Sequence, residues 1–372
     1  MIYCIIGTRA QLIKMAPIIV GIEKKSWPLR IIHTGQHIIS MDDLRKDFSL
    51  QTPWEYLIKK SEAKTIFSSI KWLTNILYLV LFKAKILIPN ASKEKDIVLV
   101  HGDTFSTVIG ALLGKFSGAS VAHIESGLRS FNVWNPFPEE VNRLITFRLS
   151  NKAFCPGDWA ANNLSSYQNL EIINTHQNTL LDSLHIALEQ INKAGKHEPK
   201  KPYGVVSIHR FENIYNKKRI QFIIDSVLLA SKKTHLIFVL HPVTQKRLTK
   251  TGLLPLLTSN KNIELKPRTG YLEFIKLLAQ SSFVITDGGS NQEELTYLKV
   301  PTLLMRKATE RPEGLNKNVI LSNYSTQITN DFLSSVKSKS ENTLEIEYPE
   351  PSPTRIIINT LEQYRFEGIK RT

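Results

Sequence analysis

Short runs rich in branched aliphatic residues alternate along this chain with longer stretches of helical period, the mark of parallel α/β units. The runs predict strands at Ile2–Ile6, Leu29–His33, Ile97–His101, Ser120–Ile124 and Ala153–Cys155, then at Tyr203–Ile208, Thr234–Leu240, Ile263–Leu265, Phe283–Thr286 and Thr302–Met305. The earlier and later groups predict two separate sheets. Between them Asp158–Asn169 has helical spacing, and the polar, proline-containing stretch Ile191–Pro202 leads into a new strand. The expected fold class is α/β, with two Rossmann-like domains facing across a cleft, each a parallel sheet flanked by helices. The first is expected over 1–170, with a terminal helix in 354–372 packing back on it, and the second over 171–353.

In open α/β sheets ligands sit beyond the carboxyl ends of the strands. Ile6 runs into Gly7-Thr8-Arg9, His101 into Gly102-Asp103-Thr104, and Ile124 into Glu125-Ser126-Gly127. In the later half Ile208 runs into His209-Arg210-Phe211, and Ile285 into Thr286-Asp287-Gly288-Gly289-Ser290. Polar and ionisable groups therefore collect along one edge of each sheet.

Composition narrows the class. The 372 residues, 42% of them hydrophobic, can fill two cores, which excludes a disordered or fibrous chain. A net charge of +15 calls for an anionic partner or surface. The basic residues are not interleaved with aromatics on a recognisable module, so nucleic acid is not expected as a partner. Cys4 and Cys155 sit in apolar settings without metal-ligand spacing and read as buried thiols of a reducing compartment. The opening residues lack the basic region of a secretory signal, which favours a cytoplasmic location. The charge-free apolar stretch Trp72–Phe82 is too short to span a bilayer, which takes about 20 residues.

Three groupings carry candidate chemistry. Gly288, Gly289 and Ser290 lead from a strand into a helical segment, offering backbone N–H groups and a helix N-terminus to a diphosphate, with Glu294 one turn on as a ribose partner. The same residues also suit an ordinary strand-turn-helix. Asp103, Glu125 and the Glu139-Glu140 pair can supply a general acid and a general base if a shared site pushes their pKa values apart. Taken singly, Asp103 also suits a helix cap, Glu125 a partner of Arg129, and Glu139-Glu140 a capping acid near Arg143. His209 and Arg210 can neutralise a leaving diphosphate, although a lone strand-end histidine more often bonds the backbone. No metal motif occurs, so neither a metal nor a cofactor is expected.

Taken in order, the segments Gly7–Pro17, Thr34–His37, Val100–Thr104, Ala122–Arg129, Pro136–Arg143, His209–Asn213, Thr286–Glu294 and Thr309–Glu313 resemble the non-hydrolysing UDP-N-acetylglucosamine 2-epimerase family. The resemblance implies the GT-B arrangement of two Rossmann domains, a UDP-sugar substrate and a homodimer. It also implies a reaction in which UDP leaves anti to a C2 proton, giving a glycal that is then re-protonated on the other face, in the service of cell-surface polysaccharide synthesis. By position, Asp103, Glu125, Glu139 and His209 match the family's catalytic residues. Arg9 and Lys14 match its nucleotide-site cations, with Arg210 beside them in role, and Gly288, Gly289, Ser290, Glu294 and Arg311 match its UDP-binding residues. Ala10-Gln11 replaces the family's usual Pro-Glu, and Gly288-Gly289-Ser290 its Ser-Gly-Gly. The segment after His37 lacks the glutamines associated with a second, activating nucleotide sugar. The run His241–Arg247 looks more like the branch acting on diacetamido uronic acid sugars.

A different class remains open at this level: a membrane-surface GT-B glycosyltransferase acting on a lipid-linked acceptor. Its basis lies in 59–95, where Lys59, Lys60, Lys64 and Lys71 precede Trp72–Phe82, and Lys83 and Lys85 follow. Such a stretch suits peripheral contact with an anionic leaflet at the inner face of the membrane, and better still a core helix with a solvated basic rim. A hydrolysing epimerase that lets the glycal escape ranks last, because Lys14 and Thr309–Arg311 resemble the non-hydrolysing branch.

Overall fold

The computed structural model describes residues 1–35, 41–57, 66–133, 137–195, 201–309, 311–336 and 345–370, with side chains 66–73 and 366–370 outside the description. Lys59, Lys60, Lys64, Pro136 and Glu310, and the side chains of Lys71 and Trp72, therefore lie outside the described residues.

Two compact units emerge, one made of Met1–Ser183 with Tyr348–Thr372 and the other of Leu184–Glu347. In the first, strands β1 (Ile2–Ile6), β2 (Leu29–His33), β3 (Trp54–Tyr56), β4 (Ile97–His101), β5 (Ser120–Ile124), β6 (Lys152–Cys155) and β7 (Glu171–Asn174) form a sheet ordered β3-β2-β1-β4-β5-β6-β7. In the second, β8 (Tyr203–Ser207), β9 (His235–Leu240), β10 (Ile263–Pro267), β11 (Phe283–Thr286), β12 (Thr302–Leu304) and β13 (Val319–Leu321) are ordered β10-β9-β8-β11-β12-β13. Every pairing is parallel. Both sheets have Rossmann order, which reverses direction beside β1 in one unit and β8 in the other.

The strands form where they do because each unit's central strands are covered on both faces. β1, β4, β5 and β8 are buried at every position, which demands the continuous apolar runs seen in the sequence. Helix Phe105–Ser117 lies so close to the first sheet that a Cβ on Gly110 would come within 2.6 Å of Val100 Cγ1. A side chain there would force helix and sheet apart.

Three edge strands, β3, β7 and β13, were not anticipated from the sequence. β3 and β13 are three residues each, and β7 has no fully buried position, so the apolar signal is too short or too weak. β7 extends the first sheet, so the first unit runs to Ser183, one strand beyond the boundary expected at 170. The helix expected over Asp158–Asn169 is only Asp158–Asn162, the remainder being turns.

The terminal helix, Pro353–Lys370, lies along helix Arg9–Lys24, where Ile358 packs at Gly21 and Lys25 Nζ meets Glu362 at 2.9 Å. Asp182 fastens the returning chain by accepting from Tyr348 Oη at 2.6 Å and from the Thr354 N–H at 3.1 Å. Helix Ile66–Leu87 buries Ile76, Val80 and Ala84 against the first unit's core. Its other side exposes Tyr78, Leu81, Phe82 and Ile86, the last two at 72%. Among the described residues no helix is long and apolar enough to cross a membrane.

Candidate active site

The first unit's chemistry gathers where its strand order reverses. After β1 the chain turns through Gly7 and Thr8, and Thr8 caps helix Arg9–Lys24. Gln11 holds this turn: its Oε1 accepts the Gly7 N–H at 3.0 Å, and its Nε2 donates to His101 O at 2.8 Å and Thr107 Oγ1 at 3.0 Å. The donor half of that pattern suits an amide and not a carboxylate, which accounts locally for glutamine where the family has glutamate.

One turn further along this helix, buried Lys14 reaches Glu125, Nζ to Oε1 at 2.5 Å. Glu125 follows β5 with φ +59°, a left-handed conformation seldom adopted by residues other than glycine. The turn continues through Gly127, φ +83°, where a Cβ would lie 2.1 Å from Ala160 O. His101, at the end of β4, brings Nε2 to 3.4 Å from Glu125 Oε2. Glu125 therefore pairs with Lys14, and Arg129, its alternative partner in the sequence, goes elsewhere.

Arg129 and Arg143 share Glu140. Arg129 Nε donates to Oε1 at 2.5 Å, and Arg143 Nη1 and the Ser130 N–H reach Oε2 at 3.3 and 3.0 Å. Burial pushes the Glu140 carboxyl up, but these donors outweigh it and hold it below the usual carboxylate range. The second arm of Arg143 donates from Nη2 to Asp103 Oδ2 at 2.5 Å, while Asn142 Nδ2 donates to Asp103 O at 2.8 Å. Asp103 is thus held by an arginine, and the cap of the following helix is its neighbour Thr104. Glu139 opens helix Glu139–Leu149 and is half-buried. On β5 itself, His123 donates from Nε2 to Gly102 O at 2.7 Å and accepts Ser126 Oγ–H at Nδ1, 2.9 Å away. Burial holds its pKa down at about 4, so the ring is neutral.

Arg9 takes a different place from that of an open cation: it forms a two-pronged pair with Asp43 on the helix Asp42–Asp47. An anionic ligand would compete there with a carboxylate already in position.

In the second unit the reversal point falls between β8 and β11. The fully buried Asp287, just after β11, accepts the His209 N–H at 3.0 Å on Oδ1, and the Arg210 N–H at 3.0 Å and Asn213 Nδ2 at 2.9 Å on Oδ2. The His209 ring stacks on His241, centroids 4.6 Å apart. Burial lowers both pKa values, His241 to about 3 with help from His209 and Arg268, and the Asp287 charge opposes the drop at His209. Arg210 Nε meets Glu212 Oε1 at 2.9 Å.

Gly288 is the N-cap of helix Gly289–Tyr297, with no side-chain cap and no acid in the first turn. Gly289 and Ser290 form the first helical residues. Glu294 is buried, and Asn291 Nδ2 donates to its Oε2 at 3.1 Å. Arg311 and Glu313 are tied to this helix by Gln292, which donates to Arg311 O at 3.0 Å and Glu313 O at 2.9 Å, and Arg311 Nη1 meets Glu293 Oε2 at 2.6 Å.

Asp103, Glu125, Glu139, Arg9 and Lys14 thus belong to the first unit, and His209, Arg210, Gly288, Gly289, Ser290, Glu294 and Arg311 to the second. The roles of Asp287, Asn178 and Asp43, and the stacking of His241 on His209, are not predicted from the sequence, although Asp287 lies within the segment Thr286–Glu294. Asp287 carried a signal, an acid between a strand and a glycine pair. Asp43 and Asn178 act through partners 34 and 53 residues away and carried none. Among the described residues no cluster of histidine, cysteine, aspartate and glutamate could hold a metal ion.

Comparison with known proteins identifies the family. The family model described as UDP-N-acetylglucosamine 2-epimerase matches residues 22–361. The UDP-N-acetylglucosamine 2-epimerase of Methanocaldococcus jannaschii is 35% identical over 326 residues, which cover 83% of this chain and 84% of that protein. The crystal structure of the Neisseria meningitidis UDP-GlcNAc 2-epimerase bound to UDP-GlcNAc superposes with a TM-score of 0.79 at 28% identity, covering 97% of this chain and 99% of that one. The M. jannaschii enzyme in complex with UDP-GlcNAc and UDP gives a TM-score of 0.76 at 30% identity, with coverage of 97% and 99%. Matched along 22–361 by the family model and at 35% identity by a relative covering most of its length, and built on two Rossmann-ordered parallel sheets, this chain belongs to the UDP-N-acetylglucosamine 2-epimerase family.

Proposed function

We propose that this protein interconverts UDP-GlcNAc and UDP-ManNAc, or a closely related pair of UDP-2-acetamido sugars, without net hydrolysis. The observation that carries the reading is the pair of carboxylates Glu125 and Asp103, each aimed by its own cation, Lys14 and Arg143, with Glu139 opening the adjacent helix. In the first half-reaction one carboxylate accepts the C2 proton. The C2–H electron pair becomes the C1–C2 double bond, and the C1–O bond breaks with its pair on the departing UDP. In the second half a proton is delivered to the opposite face of C2 and the UDP oxygen re-forms its bond to C1. No oxidant or cofactor enters this balance.

The second unit's part in the proposal is to hold UDP. Gly288, Gly289 and Ser290 offer the helix N-terminus to the diphosphate, Glu294 meets the ribose, and His209, Arg210 and Arg311 supply donors and positive charge. In the first unit, Arg9 meets a phosphate only by giving up Asp43. Incubation with UDP-GlcNAc, read by proton NMR, is expected to produce the anomeric signal of UDP-ManNAc and an equilibrium reached from either sugar. Release of free ManNAc, or no change in any UDP-2-acetamido sugar, would contradict it. The glycosyltransferase reading gains no support, since the matched family and relatives are epimerases.

The same proposal includes a homodimer formed through the outward stripe Tyr78, Leu81, Phe82 and Ile86, because a helix apolar on both sides needs a second cover. Sedimentation velocity is expected to give a dimer that Leu81→Glu with Phe82→Glu dissociates. If the wild-type protein is instead a monomer that sediments with anionic liposomes, the stripe is a peripheral membrane contact. A cytoplasmic site of action is supported by the two buried free thiols.

A further inference from the structure

Glu125 carries an unusual backbone conformation and a buried carboxylate, and two donors meet on one of its oxygens. Lys14 Nζ lies 2.5 Å and Asn178 Nδ2 2.6 Å from Oε1. Lys14 supplies the positive charge, and Asn178 adds direction. The Asn178 side chain is buried, and its Oδ1 accepts the Leu180 N–H at 3.1 Å, at the start of helix Leu180–Lys193. With the oxygen of the amide committed to a backbone donor, the NH₂ group has to face Glu125.

We propose that Asn178 is a positioning residue that keeps Glu125 aimed and ionised, linking the carboxylate to a rigid helix start. The proposal rests on the reading of Glu125 as an acid/base group of the 2-epimerase reaction. Among the described residues, the charged and titratable groups facing Glu125 include Lys14 from helix Arg9–Lys24 and His101 from β4. Its strand neighbour His123 also senses it, along with Asp103 and Arg143. Asn178 is the neutral member of this set. Its removal therefore changes hydrogen bonding to Glu125 without changing net charge.

A donor to a carboxylate favours its charged form, so losing the donor raises the carboxyl's titration. Asn178→Asp preserves the acceptor for the Leu180 N–H, and with it the helix start, but sets a second carboxylate against Glu125. Two readouts separate aim from mere folding: the Glu125 titration, followed by carbon-13 NMR of carboxyl-labelled protein with Glu125→Gln for assignment, and the acid limb of kcat/KM.

Asn178→Ala is expected to move both upward by about one pH unit. Asn178→Asp should move them further and lower kcat, measured at a temperature where the variant is still folded. An unmoved Glu125 titration in both variants overturns the proposal, as does an unmoved acid limb in variants that are only less stable. If the parent protein leaves UDP-GlcNAc unchanged while the Glu125 titration still moves, the functional reading fails and the positioning role stands.

Discussion

Arg143 shows how much a single side chain can organise in this molecule. It is buried, and it spans from Glu140, which has no solvent exposure, to Asp103. Replacing it with alanine strips a fully buried carboxylate of one of its two arginines and leaves Asp103 without its aiming partner. Breaking a buried pair costs about 3–5 kcal/mol. Arg143→Ala is therefore expected to lower the urea midpoint markedly and kcat by about 100-fold, as read by denaturation and by epimerisation rate. A variant as stable and as active as the parent would show that the network is ornamental.

His123 leads to a pH prediction. In the fold it is neutral with a pKa of about 4, whereas an unfolded chain takes up the proton near 6.5. Between those values the unfolded state binds more protons, so stability is complete above pH 6.5 and is lost as pH falls toward 4. The loss attributable to this ring is about 3 kcal/mol at the acid end. His123→Gln keeps a hydrogen-bonding side chain but cannot titrate, so its stability between pH 7 and 4.5 is expected to vary less than the parent's. An identical pH dependence in urea melts would contradict the assignment.

At this scale the sequence was partly legible. Asp103, Glu125 and His209 were visible because each follows an apolar run and so stands at a strand end. What each one pairs with was not visible. Glu125 selects Lys14 across 111 residues instead of nearby Arg129, and Arg9 selects Asp43, because those choices depend on how the strands are ordered in space.

Among the elements, legibility followed burial. Strands covered on both faces, such as β1 and β11, announced themselves with boundaries that match residue for residue. Edge strands β3 and β13 did not, since a three-residue run against a single neighbour leaves almost no pattern. The turn after β5 is the element whose geometry the site depends on most. Gly127→Ala would place a methyl group into Ala160 O and burden a residue already at φ +83°. That substitution is expected to cost more than the roughly 1 kcal/mol of backbone strain alone. Its first effect should be lost activity through displacement of Glu125, measured as kcat at a temperature where the variant is still folded. Helix Ile66–Leu87 belongs to the same scale: its apolar run is too short to span a bilayer, which the sequence shows, while its division into a buried and an exposed side depends on the fold.

For the molecule as a whole, the +15 charge is only in small part a property of the site. Lys14, Arg143 and Arg311 each already meet a carboxylate, so the edges of the sheets are not simply basic. They are paired networks in which a substrate phosphate must compete or add. The central claim is that this network performs reversible proton exchange at C2 with UDP as the leaving group. Incubation of the protein with UDP-GlcNAc in deuterated water, followed by proton NMR, tests that claim most directly. The account predicts deuterium at C2 in both epimers, with Glu125→Gln and Asp103→Asn incorporating at least about 100-fold more slowly. Epimers formed with protium retained at C2, or incorporation unaffected by both substitutions, would contradict it.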